Sequence, residues 1–396
     1  MKILILSFYY EPDLSAGSFR STSLVRAMLD QLSGDSHIEV ITTLPNRYSS
    51  FNREALELES HPKLTVNRIS LSTHNSGMLD QSRAFLGYAA EVVRLSKGKD
   101  YDLVFATSSR LMTAILGAYV SKRRKSKLYL DIRDIFVDTI RDVLPKKARW
   151  FISPVFSILE GWVIRSAVGI NLVSAGFLPY FRERYSKKKF FIFTNGIDDE
   201  FIGHQASENL ISKSNLLNIV YAGNIGEGQG LHSIIPELAR RFSDRMHFKI
   251  IGDGGRRSQL ASAVKSLGCS NVEILPPVNR NELIEIYQKA DVLFLHLNDY
   301  AAFRKVLPSK IFEYGALGKP IWAGVAGYAA EFIKENLNNS AVFMPCDVEE
   351  AHKSFDNLEL ATRPRDDFVE KFSRAKIMKN LAANIISFAD KDDCTI

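Results

Sequence analysis

The segment LPSKIFEYGALGKPIWA, residues 307–323, places a lysine and a glutamate three positions apart at the predicted start of a helix. Pro308 suits a first helical turn, since its φ is preset and its missing N–H would lack a partner there. The amides near Ser309 and Lys310, with the positive end of the helix dipole, predict an anion site to which Lys310 adds a mobile charge. Glu313 lies on the same face and could accept both hydroxyls of a ribose. The alternative is a surface ion pair between Lys310 and Glu313, which would contribute little to stability.

Two glycine-rich segments lie in the same half of the chain, each directly after a predicted strand. Residues 221–231 read YAGNIGEGQGL, whose glycines let the backbone approach a ligand closely, and residues 251–255 read IGDGG. The spacing is not G-x-G-x-x-G, so a nicotinamide dinucleotide is not indicated. Because a helix is predicted after each segment, both are candidate phosphate or sugar-phosphate loops, and ordinary turns are the alternative.

Charged residues close a predicted strand in the first half as Asp131-Ile132-Arg133-Asp134. Arg133 could bind a phosphate or carboxylate with two parallel hydrogen bonds, and Asp131 could hold an acceptor hydroxyl. A local salt bridge is the alternative. The first loop, residues 9–20, has small residues before its helix, including Gly17. It either lets a ligand approach the helix start or is a plain connection.

Composition and charge bound the class of protein. A chain of 396 residues that is 46% hydrophobic and 24% charged is an ordinary globular protein with room for two or three domains. Three widely spaced cysteines offer no disulfide framework and indicate a reducing compartment. The apolar start, residues 1–6, predicts a strand rather than a signal sequence, and no run approaches the roughly 18 apolar residues of a membrane span. We therefore expect a cytoplasmic protein.

The net charge of +6 is unevenly distributed. Residues 1–195 hold 28 Lys and Arg against 18 Asp and Glu, a net +10, and the remainder holds 23 against 27, a net −4. Basic clusters occur at Lys122–Lys127 and Lys187–Lys189, and a largely apolar helix is predicted to begin at Trp150-Phe151. Each cluster taken alone is interpreted as a solvated face. Together they predict a peripheral contact with anionic lipid on the inner face of the cytoplasmic membrane. Because no aromatics interleave with the charges, a nucleic-acid partner is not expected.

Several catalytic motifs are absent from the sequence. The eight histidines show no metal-ligand spacing, and there is no G-x-S-x-G, no Walker lysine loop and no Asp-x-Asp. We expect no metal and no cofactor. The negative charge of any bound phosphate would then be neutralised by helix N-termini and by Lys and Arg side chains.

Alternation of short apolar runs with amphipathic ones predicts an α/β fold with two doubly wound, Rossmann-like domains. The predicted boundaries are 1–196 for the first domain, 197–216 for a polar linker and 217–369 for the second domain. A helix at about 370–390 is predicted to cross back to the first domain. Ligands bind such sheets at the carboxyl ends of their strands, so we expect the site in a central cleft between the domains.

The order of these motifs resembles the retaining GT-B glycosyltransferases of the "glycosyl transferases group 1" family, especially the branch that builds O-antigen and capsule. The resemblance covers nearly the whole chain and rests on residues 131–134, 194–198, 221–231 and 307–318. It implies that the second domain binds a nucleotide-activated sugar, and that the first domain binds the acceptor. Metal-independent transfer with retention at the anomeric carbon is also implied.

The resemblance makes Glu313 the ribose-binding glutamate. Many members carry a second glutamate where this chain has Lys305, and Arg and Lys where it has Asn224 and Gln229. The predicted catalytic residues are Lys310, Glu313, Asp131 and Arg133, and the predicted acceptor-binding residues are Arg20, Asp131 and Arg133. The predicted donor-binding residues are Gly17, Gly223, Asn224, Gly226, Gln229, Gly252, Asp253, Val278, Pro308, Ser309, Lys310 and Glu313.

The sequence therefore predicts a glycosyltransferase of surface-polysaccharide assembly. It would move a sugar from a nucleoside diphosphate donor, with UDP favoured by the branch, to a lipid-linked or saccharide acceptor. One alternative is a sugar-nucleotide epimerase or hydrolase of the same fold. The other is a non-catalytic paralogue that binds nucleotide sugar, which the residues at 224, 229 and 305 keep open.

Overall fold

The computed structural model describes residues 1–45, 55–71, 78–108, 111–135, 146–203, 209–211 and 216–390. The chain divides into two compact units. The first comprises Met1–Asn195 together with the chain from Ala375, and the second comprises Gly196–Arg374. Each unit is built on a mainly parallel sheet with helices in the connections, as the alternation in the sequence predicts.

The strands of the first unit are β1 (Lys2–Leu6), β2 (His37–Thr43), β3 (Leu58–His61), β4 (Leu64–Ile69), β5 (Leu103–Ser108), β6 (Lys127–Ile132), β7 (Gly169–Leu172) and β8 (Phe190–Ile192). They form one sheet in the order β3-β4-β2-β1-β5-β6-β7-β8. All described neighbours are parallel except β3 and β4, which pair antiparallel at one edge. Every residue of β5 is buried, as expected for a central strand covered on both faces.

The helices of the first unit before the crossover are α1 (Ala16–Gln31), α2 (Met78–Leu95), α3 (Leu111–Arg124), α4 (Lys146–Ser166) and α5 (Leu178–Arg184). The side chain of Ser15 accepts a hydrogen bond from the Ser18 N–H and so caps the start of α1. None of the helices in the described ranges is both long enough and apolar enough to cross a membrane.

The strands of the second unit are β9 (Asn209–Leu210), β10 (Leu217–Ala222), β11 (Met246–Ile251), β12 (Val272–Leu275), β13 (Val292–His296), β14 (Ile321–Gly324), β15 (Ser340–Phe343) and β16 (Ala361–Thr362). Six of them form a parallel sheet in the order β12-β11-β10-β13-β14-β15. The short strands β9 and β16 pair antiparallel with each other. The segment predicted as a linker therefore contributes to the second unit, and its residues 204–208 and 212–215 lie outside the described ranges.

The remaining helices are α6 (Leu231–Arg241), α7 (Arg257–Ser266), α8 (Arg280–Lys289), α9 (Lys310–Leu317), α10 (Tyr328–Asn336), α11 (Val348–Asp356), α12 (Asp366–Lys371) and α13 (Arg374–Ala389). Helix α13 returns to the first unit, where Met378, Leu381, Ala382 and Ile385 are fully buried in a core shared with β1 and α1. The predicted crossing of the C-terminal helix is thus present.

Helix α9 begins two residues later than its proline suggests. Pro308 and Ser309 form the turn before it, since the Ile311 N–H donates to the Pro308 carbonyl at 3.2 Å and the Phe312 N–H donates to the Ser309 carbonyl at 3.1 Å. The helix ends at Gly318, whose φ of +70° gives the left-handed cap that the sequence predicts.

Candidate functional site

The glycine-rich loops of the second unit lie side by side at the carboxyl edge of its sheet. The Gly223 N–H, just beyond β10, donates to the Ile251 carbonyl of β11 at 2.8 Å, and the Ile225 N–H donates to the Asp253 carbonyl at 2.8 Å. Gly252 has a φ of +147°, and a Cβ placed on it would overlap the Gly223 carbonyl oxygen. The close approach of the two loops therefore requires glycine at position 252.

Lys310 reaches from the start of α9 to the first of these loops. Gly223 has a φ of +149°, and a Cβ at this position would overlap the Lys310 Nζ atom. The same Nζ atom lies 5.6 Å from the ring centroid of Tyr221, whose hydroxyl donates to the Asn224 carbonyl at 2.7 Å. Lys310 is half-buried. The structure thus brings together the lysine and the loop that the sequence assigns to one phosphate site.

Asn224 and Gln229 bond to each other within the loop. The Asn224 Nδ2 donates to the Gln229 Oε1 at 2.6 Å, and the Gly226 N–H donates to the same oxygen at 3.3 Å. The two amide side chains therefore close the loop on itself. This neutral, hydrogen-bonded pair occupies the positions at which many members of the family that this chain resembles have Arg and Lys.

The other predicted donor-side residues occupy the neighbouring strand ends. The Asp253 carboxylate accepts the Gly254 N–H at 2.8 Å and so turns back onto its own loop. Val278 is half-buried in the segment between β12 and α8, and Pro308 and Ser309 are half-buried beside Lys310. Asp253 and Val278 follow strands of the six-stranded sheet, whereas Pro308 and Ser309 precede α9.

Glu313 is half-buried one turn beyond Lys310, and its charge acts on Arg280, which is also half-buried. Arg280, at the start of α8, forms ion pairs with Asp198 and Glu200 and lies 4.9 Å from the Phe201 ring centroid. Burial works to lower the pKa of Arg280, but the charges of Asp198, Glu313 and Glu200 raise it overall. The Glu313 carboxylate and the Arg280 guanidinium therefore interact electrostatically.

Arg20 and Asp131 form a buried ion pair, which corrects the prediction that they contact an acceptor. Each side chain is 1% exposed, and the distances are 3.0 Å for Nε–Oδ2 and 2.8 Å for Nη2–Oδ1. Thr107 and Asn171 also donate to the Asp131 carboxylate, at 3.2 and 2.7 Å. Burial alone would raise the pKa of Asp131, but the charge and hydrogen bonds of Arg20 lower it. Both residues hold the sheet of the first unit together, because their polar atoms face each other and not solvent.

Arg133 and Gly17 are brought together at the start of α1. A Cβ placed on Gly17 would lie 2.9 Å from the Arg133 Nη1 atom, so the half-buried guanidinium lies across the first turn of the helix. Ser18 follows Gly17 in the chain, and the Ser108 carbonyl accepts the Arg133 N–H at 3.3 Å. The hydroxyls of both serines are buried, and neither has a hydrogen-bond partner among the described residues. Sequence reasoning did not single out these two serines, because nothing local distinguishes them from other buried serines.

Within the described ranges, no group of three His, Cys, Asp or Glu side chains could hold a metal ion.

Comparisons with known proteins show which family and which folds this chain resembles. Residues 205–374 match the family described as glycosyl transferases group 1. WcaI of Escherichia coli (strain K12), named for colanic acid biosynthesis and glycosyl transfer, is 32% identical over 100 residues, which span 25% of this chain and 24% of WcaI.

Solved structures resemble the chain over nearly its whole length. Anabaena Alr3699/HepE in complex with UDP-glucose has a TM-score of 0.70 at 17% identity, covering 98% of this chain and 100% of that one. WaaG, a glycosyltransferase involved in lipopolysaccharide biosynthesis, has a TM-score of 0.63 at 14% identity, covering 99% and 96%. These likenesses confirm the predicted fold class, and the family match agrees with the resemblance over residues 205–374.

Proposed function

We propose that this chain is a glycosyltransferase that moves a sugar from a UDP-sugar to a lipid-linked or saccharide acceptor in surface-polysaccharide biosynthesis. The match of residues 205–374 to the glycosyl transferases group 1 family supports this proposal. The observation that carries the proposal is the Lys310 ammonium lying against Gly223 at the carboxyl edge of β10. The names of WcaI and WaaG favour a surface polysaccharide as the product, and the UDP-glucose bound to Alr3699/HepE favours UDP in the donor.

The start of α9 suits a diphosphate. The amides of Ser309 and Lys310 and the positive end of the helix dipole lie at the start of α9. From there the Lys310 ammonium reaches a loop whose glycine backbone admits close approach. When the sugar–phosphate bond breaks, negative charge grows on the leaving UDP, and preorganised donors at this position stabilise it. Retention at the anomeric carbon and independence of metal ions are parts of the proposal that the family resemblance supplies.

Glu313 suits the ribose of the same nucleotide. It lies one turn from Lys310 on the same helix, so a diphosphate at the helix start leaves the pentose within reach of its carboxylate. The two carboxylate oxygens of Glu313 can accept hydrogen bonds from both ribose hydroxyls.

The acceptor would use the first unit. Arg133 and the amide end of α1 offer positive charge for an acceptor phosphate. A lipid-linked acceptor carries such a phosphate. Asp131 takes no direct part, because Arg20, Asn171 and Thr107 surround its carboxylate.

A face of α3 and α4 supports the proposed contact with an anionic membrane. Met112 and Tyr119, two turns apart on α3, are exposed, and so are Val155 and Ile158 on the adjacent α4, with Ile158 71% exposed. The basic end of α3 contains Lys122, Arg123 and Arg124, and the Arg123 guanidinium lies 5.7 Å from the Tyr119 ring centroid. Exposed apolar groups beside cations are typical of surfaces that enter lipid headgroups.

The proposal is tested by comparing Lys310→Ala with the wild type and with Lys334→Ala, an exposed lysine of α10. A thermal-shift screen of UDP-, GDP- and dTDP-sugars first selects the donor. Lys310→Ala should lower kcat about 100-fold and weaken donor binding much less, because the lysine acts mainly on charge that develops during bond breaking. Lys334→Ala should match the wild type. An unchanged kcat in Lys310→Ala would remove this lysine from the mechanism.

Donor without acceptor separates the alternatives. An epimerase or hydrolase converts the nucleotide sugar by itself, and a non-catalytic paralogue binds it without turnover on any acceptor. A glycosyltransferase consumes the donor at an appreciable rate only when a lipid-linked or saccharide acceptor is added.

A further inference from the structure

His296, the last residue of β13, is fully buried beneath the glycine loop and bonds to backbone groups on both sides. Its Nδ1 atom lies 2.7 Å from the Gln229 carbonyl oxygen, and its Nε2 atom lies 3.0 Å from the Cys346 backbone nitrogen. The first contact reaches the glycine loop after β10. The second reaches the turn after β15, where Cys346 has a φ of +62°.

These two partners fix the protonation of the ring. A carbonyl oxygen only accepts, so Nδ1 carries the hydrogen, and a backbone N–H only donates, so Nε2 carries the lone pair. A doubly protonated ring would place an N–H against the Cys346 N–H. Burial accordingly lowers the pKa of His296 to about 4, and the imidazole is neutral at physiological pH.

The surroundings of the ring leave it one orientation. It stacks on Phe294 at 6.1 Å with an interplanar angle of 5°, and Phe343 lies at 6.1 Å from it. A Cβ placed on Gly324 of the next strand would overlap the imidazole Cδ2 atom. The sheet therefore provides a space shaped for this ring.

His296 and Asn298 together hold three consecutive carbonyls of the glycine loop. The Asn298 Nδ2 donates to the Glu227 carbonyl at 3.1 Å, the Asn298 N–H donates to the Gly228 carbonyl at 2.8 Å, and His296 donates to the Gln229 carbonyl. Since each peptide's N–H points opposite to its C=O, fixing these carbonyls with His296 and Asn298, at and just beyond the end of β13, also directs the loop amides. Gln229 extends the effect, because its side chain holds Asn224 and the Gly226 amide.

We propose that His296 is a positioning residue for donor binding: through the Gln229 carbonyl it holds the glycine loop in the conformation that receives the donor's phosphates. This inference rests on the proposed function. In this role His296 does not contact the substrate, and its neutral, singly protonated imidazole keeps the glycine loop rigid.

Two substitutions each preserve one of the two hydrogen bonds of the His296 ring and remove the other. In His296→Asn the amide nitrogen lies near the place of Nδ1 and can still donate to Gln229, whereas in His296→Gln the amide oxygen can still accept from Cys346 near the place of Nε2. His296→Gln should raise the KM for the UDP-sugar, and the Kd for UDP measured by calorimetry, about tenfold. His296→Asn should stay within about threefold of the wild type. The KM for the acceptor should not change in either variant, and His352→Asn serves as a matched substitution away from the site.

The outcomes distinguish this inference from the proposed function. A wild type that binds no UDP and no UDP-sugar refutes the proposed function, and this inference with it. Equal weakening in the Asn and Gln variants, or no weakening in either, overturns the positioning role while leaving the proposed function intact.

If either variant fails to fold by circular dichroism, the wild type labelled with ¹⁵N at histidine decides. We expect the Nδ1–H tautomer at His296 and a change in its resonances when UDP binds. The Nε2–H tautomer, or resonances that UDP does not move, overturns the inference.

Discussion

Removing Arg20 should destabilise the first unit without weakening donor binding. Arg20→Met keeps the apolar stem of the side chain but leaves Asp131 charged and 1% exposed. Breaking a buried pair by removing one partner costs about 3 to 5 kcal/mol. Two further hydrogen bonds are lost, from Nη1 to the Thr194 carbonyl and from Nη2 to the Phe193 carbonyl, at about 1 kcal/mol each. Thr107 and Asn171 still donate to Asp131 and offset part of this, so the expected loss is about 4 kcal/mol.

The assay is hydrogen exchange followed by mass spectrometry, because it reports each unit separately. Peptides from β5, β6 and β7 should lose protection in Arg20→Met, while peptides from β10 to β14 keep it and the Kd for UDP stays the same. Adding Asp131→Asn should recover more than half of the lost stability, since the amide removes the stranded charge and can still bond to Asn171. Wild-type protection in Arg20→Met combined with a raised KM for the acceptor would refute this reasoning. It would instead place Arg20 in the acceptor site.

Two further changes test other buried groups. The pKa of His296 is lowered from 6.5 to about 4 in the folded chain, so between these pH values the unfolded chain binds a proton that the folded chain does not. The free energy of unfolding should therefore be at its full value above pH 6.5 and fall by about 3 kcal/mol on acidification to pH 4. In urea unfolding series, His296→Asn should reduce this dependence on pH. Arg365 is 5% exposed, burial lowers its pKa to about 9, and it donates to the carbonyls of Tyr314, Gly315 and Lys319 at the end of α9. Arg365→Lys cannot reach all of these acceptors and should cost about 3 kcal/mol in chemical denaturation; a loss below about 1 kcal/mol would contradict this account of how α9 ends.

The sequence was most informative where local rules decide the structure. Gly318 caps α9 in the left-handed region, and Lys310 meets Gly223 because a helix start and a strand end both belong at the carboxyl edge of a parallel sheet. It misassigned Asp131 because the partner that occupies this carboxylate lies 111 residues away, in α1. A charged residue at a strand end looks the same in sequence whether it faces a ligand or a buried arginine.

His296 escaped prediction for a related reason. Its partners are backbone groups of Gln229 and Cys346, which have no side-chain signature, and one of them is 50 residues away along the chain. The short strands β9 and β16 were missed as well, since two residues are too few for any period to show. Local patterns therefore predicted most of the elements and the placement of Lys310 beside the glycine loop, while long-range pairing decided which charged groups are structural.

The neutral pair in the glycine loop bears on whether the chain is an enzyme or a silent binding protein. Asn224 and Gln229 stand where the family that this chain resembles often has Arg and Lys, which taken alone suggests weaker binding of a diphosphate. In the structure the two amides bond to each other at 2.6 Å and stiffen the loop, while a cation from α9 reaches the loop at Gly223. Positive charge is thus still supplied at the carboxyl edge of β10, from a helix instead of from the loop. Because stabilising a leaving diphosphate depends on where the charge lies and not on which element carries it, this arrangement favours catalysis over silent binding.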